Sequence, residues 1–558
     1  MNIMTQQIIE ITIENDNSTH WIKEGDTIQQ LLTQSALKPK TPIVAAFVNN
    51  NLKELSHRIF LASSVRFIEL DTTEGRRTYS RSLLFMLEKA TNDIFPNSNV
   101  EYMHPVGHGF YCEIDTLEKP TTEQVLAIKK RMRELVSADI PIVKTKIRLS
   151  QAEELCRNKG MLDKLLLLKN KPKFYVSAFN LGGFENLHLG AMVTSTSALH
   201  VFDLEPFAHG IAVKLPKRDD HTKPEQLKIL PKLNDIFQQY NDWGEIIGVS
   251  NIGELNQHTI DDNSHQIIKI TEALHERNFS NLADSIAEKW DSGAKIILLA
   301  GPTSSGKTTS SKRIAVQLQV LGFNPEIISL DDYFIDRDLT PLDEFGEPDF
   351  ESIKSVNVER FNTDLNQLIE GQTTTIPRYD FLTGKSVVGK TVAISKRSII
   401  IVEGIHALNP DLVPHIEREK IYKVYVSALT TLSIDSSAAI HTTDNRLIRR
   451  IVRDHNYRGR SAFETIKGWQ SVRRGEEKNI FPYQEEADKI VNTALSYELA
   501  VFAPIVRPLL ASVPQNAPEF AEAKRLLIFI DMFIPIDERQ VPPTSLIREF
   551  IGGSGFNY

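Results

Sequence analysis

The clearest chemical signature lies in residues 301–308, Gly-Pro-Thr-Ser-Ser-Gly-Lys-Thr, which fit the pattern G-x-x-x-x-G-K-[ST] at every constrained position. In this pattern the glycines let the backbone wrap a phosphate, and the backbone amides bind its oxygens. Lys307 can reach the β and γ phosphates, and the Thr308 hydroxyl can ligate Mg²⁺. The motif therefore predicts a nucleoside triphosphate site made of Gly301, Pro302, Thr303, Ser304, Ser305, Gly306, Lys307, Thr308 and Thr309, which we name the phosphate loop.

The chain on either side of the phosphate loop has the elements that such a loop needs. Residues 295–300 are apolar almost throughout, which is typical of a parallel strand buried on both faces. The following segment, 309–321, predicts a helix with Ile314, Leu318 and Leu321 on one face. Because strand, loop and helix follow in this order, a chance match to the pattern is the weaker interpretation.

Two acidic residues come directly after further predicted strands. Asp331 follows a strand at 326–330, and Glu403 follows one at 398–402. Further strands at 421–426 and 487–492, with long connections between them, indicate a parallel α/β sheet with helices on both faces. Ligands of such sheets bind at the carboxyl ends of the strands. An acid at a strand end is more often a cap or a turn residue, but beside a phosphate loop we interpret both as functional.

The segment 444–464, DNRLIRRIVRDHNYRGRSAFE, is dense in arginine. The arginines recur at helical spacing and then flank a glycine: Arg446, Arg449, Arg450, Arg453, Arg458 and Arg460. Such a run can be a solvated helix face or an RNA-binding patch. Next to a triphosphate site we favour a lid whose arginines neutralise the charge of a transferring phosphoryl group, with Gly459 as the bend.

Composition narrows the class of protein. The 558 residues are too many for one core, so roughly three to four domains are expected. Lys and Arg number 64 against 72 Asp and Glu, so no global basic field argues for nucleic-acid binding. Cys112 and Cys156 alone cannot form a disulfide framework or a cysteine-rich zinc site. With no apolar run near the roughly 18 residues of a membrane span and no signal-peptide core, we expect a cytoplasmic protein without membrane contact.

Several segments carry a resemblance to a known family. They are GPTSSGKTT (301–309), ISLDDYFIDR (328–337), EPDFES (347–352), IPRYDFLTGKS (376–386), IIIVEGIHAL (399–408), RRIVRDHNYRGR (449–460) and EEADKIVNTAL (485–495). In this order they resemble the uridine kinase/phosphoribulokinase family. The resemblance implies a P-loop kinase that uses ATP and Mg²⁺ to phosphorylate a small-molecule alcohol, with a nucleoside 5′-hydroxyl as the leading acceptor.

The same resemblance implies roles for individual residues. It implies Asp331 as the general base for the acceptor hydroxyl, with Lys307 also catalytic, and Glu403 with Thr308 around Mg²⁺. It implies acceptor contacts by Asp349, Tyr379 and Arg450, catalytic phosphate contacts by Arg453 and Arg458, and an ATP contact by Arg460. Uridine kinases carry a base-reading histidine after the Tyr-Asp-Phe motif, where this sequence has Gly384. A sugar phosphate or another alcohol therefore stays open as the acceptor.

The N-terminal part resembles a different family. KEGDTIQQLL (23–32) and VAAFVNNNLKELS (44–56) resemble the TGS domain of threonyl-tRNA synthetases, a β-grasp module, and TTEQVLAIKKRMRELVSADIPIVK (121–144) resembles their second additional domain, an α+β editing-type domain. In that family a His-x-x-x-His pair, a Cys and a His bind zinc, whereas Tyr79 and Leu83 stand at the pair here and only His188 remains. Three of the four ligands are therefore replaced, which argues against zinc-dependent editing.

These observations predict an α/β P-loop kinase preceded by synthetase-like domains. The predicted units are a TGS-like domain (1–70), an editing-like domain (75–218), a helical connector (219–293), a kinase domain (294–497) and a helical tail (498–558). The tail is expected to pack on the kinase core or on a partner subunit, so a homo-oligomer stays open, and no chemistry is assigned to it. The second hypothesis is a tRNA-binding protein that contacts tRNA through residues 1–218 and uses ATP hydrolysis as a switch.

Overall fold

The computed structural model describes residues 7–169, 174–344, 346 and 348–557, so that Glu347 of the EPDFES segment lies outside the described residues. The described part of the first unit, from residue 7 on, has five strands and one helix: β1 (Ile8–Ile13), β2 (Ser18–Lys23), α1 (Ile28–Gln34), β3 (Ile43–Val48), β4 (Asn51–Lys53) and β5 (Ser63–Glu69). The strand order is β2-β1-β5-β3-β4, with β1 and β5 parallel. Ile11 and Ile13 of β1 pack with Ile28 and Leu31 of α1 in one apolar core, the arrangement of a β-grasp fold.

The second unit is an α+β arrangement of two antiparallel sheets and four helices. Its elements are α2 (Thr73–Ile94), β6 (Val100–Val106), β7 (Gly109–Ile114), α3 (Thr122–Ser137), β8 (Ile142–Arg148), α4 (Leu149–Asn158), α5 (Leu162–Lys169), β9 (Tyr175–Leu181), β10 (Phe184–Asn186), β11 (Asp203–Phe207) and β12 (Gly210–Lys214). The sheets run β11-β12-β7-β6 and β10-β9-β8. The amphipathic helices α2 and α3 bury Leu83, Phe85 and Met132 in a core that both sheets share.

Three helices follow: α6 (Pro231–Ile247), α7 (Ile252–Ile260) and α8 (Ser264–Asp291). The apolar face of α8 buries Phe279, Leu282 and Ile286 against residues of the predicted kinase domain (294–497), which we call the kinase region. Phe237 of α6 is likewise buried among kinase-region side chains. The helices α6 and α8 therefore pack on the kinase region. Ile252 and Leu255 of α7 share a core with Leu167 of α5 in the second unit and with Leu447 of the kinase region.

The kinase region is built around a parallel sheet. Its elements are β13 (Ile296–Ala300), α9 (Lys307–Val320), β14 (Asn324–Ser329), α10 (Val358–Ile369), β15 (Thr374–Asp380), β16 (Lys385–Val392), β17 (Ser398–Glu403), β18 (Ile421–Ser427), β19 (Ser433–Asp435), β20 (Ala438–Ala439), α11 (Thr442–Arg458), α12 (Ala462–Asn479) and β21 (Lys489–Asn492). The central sheet runs β14-β17-β13-β18-β21 and is parallel throughout, which confirms the predicted α/β fold. One detail differs: Leu321 follows the end of α9 and is 37% exposed, so it does not share the buried face of Ile314 and Leu318.

The chain ends in α13 (Glu498–Ala511), α14 (Phe520–Ile530) and α15 (Arg548–Ile551). Val506, Leu526 and Phe550 from these helices join α11 and α12 in a single apolar core. Arg525 of α14 binds Asp444 of α11 with both terminal nitrogens at 2.8 Å, and Arg77 of α2 binds the same carboxylate at 3.0 Å. Arg77 also lies 3.6 Å from Glu522 of α14, so the tail packs on the kinase region and on the second unit together. Among the residues described, no helix combines the length and apolarity needed to cross a membrane.

Candidate active site

The phosphate loop joins β13, the central strand, to the first turn of α9. Ser305 donates its amide to Pro302 O at 3.2 Å, and the Thr493 hydroxyl donates to Ser305 O at 2.6 Å, so the turn is held from within and from β21. The first amide bonded within α9 is that of Ser310, to Gly306 O. The amides before it have no partner inside the helix, and such amides at a helix N-terminus bind anions. Lys307 Nζ lies 3.2 Å from Pro302 O, folded over the loop.

Glu403 ends β17 beside the phosphate loop and is only 6% exposed. Its Oε1 accepts from the Ser329 hydroxyl at 2.9 Å and from the Thr308 hydroxyl at 3.5 Å. Burial, and then the nearby charge of Asp331, raise the pKa of Glu403 to about 7. A buried carboxylate next to another carboxylate is stabilised by a bound cation, and carboxylate and hydroxyl oxygens are ligands that Mg²⁺ prefers. Thr308 and Glu403 therefore fit the predicted ion.

Asp331 lies just beyond β14, in a short 3₁₀ turn, and is exposed. Its charge contributes to the pKa shifts of Glu403, Glu351 and Arg458, so it lies within electrostatic range of all three. The neighbouring Asp332 is half-buried and accepts the Tyr379 amide at 3.3 Å. Asp331 is therefore the carboxylate of this pair that remains open to an incoming hydroxyl.

Glu351 is a residue of this site that the sequence did not single out. Its Oε2 is buried and has no hydrogen-bond partner within the part of the chain that is described. Burial, and then the charge of Glu476, raise the pKa of Glu351 to about 7, while Arg450 and Lys307 act in the opposite direction. A Cβ at position 475 of α12 would lie 2.3 Å from the Glu351 Cβ, so glycine there permits the approach. The available signal was its place in EPDFES, two residues after Asp349.

Two of the predicted acceptor residues, Asp349 and Tyr379, have contacts near the acidic strand end. Asp349 Oδ1 accepts the Glu351 amide at 3.1 Å, which ties these two acids together. The Tyr379 ring meets Phe334 and Phe381 edge-to-face, with centroids 5.6 and 5.0 Å apart. The site therefore combines carboxylates with a cluster of aromatic rings.

Position 384, which is glycine where uridine kinases carry a base-reading histidine, is closely covered by Arg337. Gly384 has φ +70°, and a Cβ there would lie 2.8 Å from Arg337 Nε. The Arg337 amide donates to Gly384 O at 2.9 Å, and the Arg337 guanidinium donates to Phe381 O at 2.6 Å. A guanidinium therefore occupies the space that a side chain at 384 would need.

The lid arginines gather on one buried acid. Asp454 is fully buried, and its carboxylate lies 3.3 Å from Arg450 Nε, 3.6 Å from Arg453 Nε and 3.6 Å from an Arg458 terminal nitrogen. Gly459, with φ +60°, then ends α11 at the bend, and the Arg460 amide donates to Asp454 O. Three guanidinium groups around one carboxylate leave excess positive charge, which suits binding of a phosphate.

Two arginines of the same run do not belong to a lid. Arg446 binds both oxygens of Glu476, at 2.7 and 2.5 Å, and Arg449 binds Glu498 at 2.6 Å, with all four side chains essentially buried. The lid interpretation is therefore wrong for Arg446 and Arg449, because their charges are already paired inside the core. Glu476 also accepts the Thr303 amide at 3.1 Å, so the Arg446–Glu476 pair supports the phosphate loop.

The zinc-site positions of the second unit have other contacts. Tyr79 donates its hydroxyl to Val201 O at 2.8 Å, and Leu83 is fully buried in the apolar core. His188 Nε2 lies 2.9 Å from Glu88 Oε2. Although burial opposes it, the charge and hydrogen bond of His188 lower the pKa of Glu88 to about 2. The other Glu88 oxygen accepts from the Ser437 hydroxyl, between β19 and β20, at 2.7 Å, so the network joins this unit to the kinase region.

Two parts of this chain are similar to known proteins. The model of the phosphoribulokinase/uridine kinase family matches residues 296–499. Residues 296–499 form a domain of that family. A uridine kinase from Macrococcus caseolyticus is 29% identical over 207 residues, which are 37% of this chain and 91% of that protein. The kinase region is therefore similar over its length to P-loop kinases of that family.

Solved structures are also similar to this phosphoribulokinase/uridine kinase domain. A putative fructose transport system kinase from Silicibacter sp. TM1040 has 19% identity and a TM-score of 0.28, and covers 38% of this chain and 98% of its own. A possible uridine kinase from Bacillus stearothermophilus has 19% identity and a TM-score of 0.27, and covers 39% of this chain and 98% of its own.

The N-terminal region matches threonine–tRNA ligases, as its resemblance predicts. The ligase from Symbiobacterium thermophilum is 25% identical over 198 residues, which are 35% of this chain and 30% of the ligase. The chain thus spans less than a third of the length of that ligase. It joins a synthetase-like region to a phosphoribulokinase/uridine kinase family domain.

Proposed function

We propose that this protein transfers the γ-phosphoryl group of ATP to the 5′-hydroxyl of a nucleoside. The observation that carries the proposal is the pair of acids at neighbouring strand ends, Asp331 after β14 and Glu403 at the end of β17. Ser329 and Glu403 stand opposite each other in the parallel register of these strands, so Asp331 follows only two residues later. One acid is buried beside the phosphate loop and the other is exposed. This division suits one carboxylate that holds a cation and one that meets the acceptor.

The residues around the phosphate loop have separate tasks in this proposal. The loop amides and Lys307 bind the phosphates of ATP, and Thr308 and Glu403 would hold Mg²⁺, which when bound offsets the charge on the β and γ phosphates. The oxygen of the acceptor hydroxyl forms a bond to the γ phosphorus while the bond from that phosphorus to ADP breaks. Asp331 accepts the proton that this hydroxyl loses. Arg453 and Arg458 bind the migrating group, and Arg460 binds ATP. The products are ADP and the phosphorylated alcohol.

The contacts on the acceptor side favour a nucleoside over an anionic alcohol. Asp349 and Glu351 can accept hydrogen bonds from the hydroxyls of a sugar ring, and Glu351 Oε2 has no partner of its own among the described residues. Tyr379, with its aromatic neighbours, offers an apolar wall to a planar base. Arg337 supplies a donor beside Gly384, where a histidine would stand. Two carboxylates near Asp331 repel a phosphate-bearing acceptor, which makes a sugar phosphate the weaker alternative.

An acceptor screen tests this proposal. ADP release from Mg²⁺-ATP is followed with nucleosides, sugar phosphates and pantothenate-like alcohols, and turnover with a nucleoside at least tenfold above the others is expected. Preference for a sugar phosphate would overturn the nucleoside assignment and leave the kinase reaction intact. ADP release that is independent of every acceptor, and unchanged in Asp331→Asn, would overturn the transfer reaction itself.

A second candidate is contact with tRNA, which the similarity to threonine–tRNA ligases favours. It is tested by gel retardation of tRNA with the full chain at low salt, where phosphate contacts are strongest. Retardation that weakens steeply with added salt supports this function. No retardation at low salt counts against it without affecting the kinase proposal.

A further inference from the structure

The last described residues of the chain return to the phosphate loop. We name residues 541–557 the C-terminal segment; α15 forms its middle. Leu546 contacts the loop, since a Cβ at Gly306 would lie 2.7 Å from a Leu546 methyl carbon. Lys312, six residues beyond Gly306 on α9, donates from its ammonium group to the Asn557 carbonyl. The segment thus lies along the N-terminal half of α9, the helix that begins inside the phosphate loop.

Glu549 makes the contact with the greatest chemical consequence. Its Oε2 accepts both the amide and the hydroxyl of Thr309, at 3.3 and 2.5 Å. Thr309 is the last residue of the phosphate loop, and its amide is among those that precede the first hydrogen bond within α9. Backbone amides at this point of a G-x-x-x-x-G-K-[ST] loop bind the α and β phosphates of a nucleotide. A carboxylate of this chain therefore holds groups that a phosphate of ATP requires.

A second element of the donor site also faces Glu549. The charge of Glu549 contributes to the pKa of Arg453, so the carboxylate lies within electrostatic range of the lid as well as of the loop. Asn456, on the same helix as Arg453, donates its side-chain amide to Phe550 O at 2.9 Å. Glu549 thus accepts from a loop amide and lies within electrostatic range of a lid guanidinium, which are groups that also bind phosphate.

The segment that presents Glu549 is firmly attached. Leu546, Ile547 and Phe550 are fully buried in the large apolar core shared with α11 and α13. The Arg449 guanidinium lies 5.3 Å from the Phe550 ring centroid. Because three buried apolar side chains anchor α15, the carboxylate is delivered to Thr309 by a rigid support rather than by a loose chain end.

We propose that Glu549 competes with ATP for the phosphate loop. Its carboxylate takes the place of a phosphate on Thr309 until ATP displaces it. The inference rests on the proposed function for the identity of the donor. A carboxylate and a phosphate repel each other and cannot share one amide, so each molecule of ATP that binds must break the Glu549–Thr309 contacts. The apparent affinity for ATP is therefore lowered by the fraction of molecules in which Glu549 is in place.

The test measures binding to the full chain and needs no acceptor. Glu549→Gln keeps the shape of the side chain and removes its charge, and we expect it to bind ATP roughly tenfold more tightly than the unmodified protein, because a charge-assisted hydrogen bond no longer competes. The affinity for tripolyphosphate, which has phosphates without a nucleoside, should rise by the same factor. The affinity for adenosine should not change. Glu538→Gln, an exposed glutamate of the same tail, is the matched control and should leave all three affinities unchanged.

Each outcome decides the proposal. Equal ATP affinity in Glu549→Gln and the unmodified protein overturns it, as does a gain for adenosine as large as that for ATP, which would mean that Glu549 hinders the nucleoside instead. If Glu549→Gln alters the fold, as judged by its melting temperature, Glu549→Asp is used, because it keeps the charge but shortens the reach to Thr309 and should also tighten ATP. ATP binding by none of the proteins overturns the donor assignment of the proposed function together with this inference.

Discussion

The Ser329 hydroxyl donates to Glu403 Oε1 at 2.9 Å across two neighbouring parallel strands, β14 and β17. This contact orients the buried carboxylate toward the Thr308 hydroxyl on the other side. In the parallel register of these strands Ser329 stands opposite Glu403, so Asp331 follows two residues beyond that level. The register of one strand pair therefore determines the spacing between the two acids that the proposed phosphoryl transfer depends on.

Removing the charge of Asp331 should abolish most of the turnover. In Asp331→Asn the acceptor hydroxyl loses its proton acceptor, so kcat should fall by roughly 10²- to 10⁴-fold. The KM for ATP should change little, because Asp331 is not part of the phosphate loop. Asp338→Asn, at an exposed aspartate seven residues further along the chain, is the control in a coupled ADP-release assay and should keep full activity. A normal kcat in Asp331→Asn would show that Asp331 does not accept the hydroxyl proton.

Glu351 should act on the acceptor rather than on ATP. Because burial and Glu476 raise its pKa to about 7, Glu351 becomes a strong hydrogen-bond acceptor only as the pH rises above that value. The KM of the acceptor should therefore fall with increasing pH between about 6 and 8. In Glu351→Gln this dependence should vanish and the KM at pH 8 should rise roughly tenfold.

The same variant supplies its own internal control. The KM of ATP, measured in the same assay over the same pH range, should be unaffected by Glu351→Gln. A change in the KM of ATP that equals the change for the acceptor would show that Glu351 acts on the phosphate loop instead.

The buried Arg446–Glu476 pair should matter for stability more than its exposed neighbour does. Arg446→Met leaves the Glu476 charge buried, which typically costs about 3–5 kcal/mol. Arg473 contacts the same carboxylate at 3.2 Å but is 26% exposed, so Arg473→Met should cost less than about 1 kcal/mol. Thermal unfolding of the two variants compares them directly. Equal shifts in melting temperature would contradict the assignment of Arg446 as the main partner.

The Glu88–His188 network should make stability depend on pH in the acid range. The pKa of Glu88 is about 2 in the folded chain against an ordinary value of 4.5, so the unfolded chain binds more protons between these values. The stabilisation is therefore complete above about pH 4.5 and is lost as the pH falls toward 2. The shift corresponds to a contribution on the order of 3 kcal/mol.

Urea unfolding of the unmodified chain and of Glu88→Gln, at pH values from 3 to 7, measures this contribution. Glu88→Gln should be less stable at pH 7, and the difference between the two proteins should shrink as the pH is lowered. A stability difference between the two proteins that stays constant from pH 3 to 7 would mean that the charge of Glu88 does not contribute to the stability.

Much of the donor site could be predicted because its signals are local. The glycine and lysine spacing of 301–308 needs only neighbouring residues to form its loop, and an apolar strand before it and a helix after it are visible in the same few turns of chain. Asp331 and Glu403 could also be predicted, because acids that follow strands of a parallel sheet must emerge at the same edge.

The arginines of α11 show where such reasoning stops. Spacing alone assigns four arginines of this helix to the lid: Arg446, Arg449, Arg450 and Arg453. Arg446 and Arg449 are instead paired with Glu476 and Glu498, which are 30 and 49 residues away along the chain. Which face of α11 is buried depends on α12 and α13, and no local pattern contains that information.

The sequence by itself determined the chemistry of this protein at the level of family: a phosphate loop, two acids at strand ends and a synthetase-like N-terminal region, each written in short contiguous segments. Only the tertiary structure decided which other residues reach that site. Glu351 lies in the site because Gly475 of a distant helix lets it approach, and Glu549 reaches Thr309 across 240 residues because the apolar side chains of the tail pack into the core of the kinase region. Contacts of this kind follow from burial of apolar surface, which constrains composition and pattern but does not encode the identity of a distant partner.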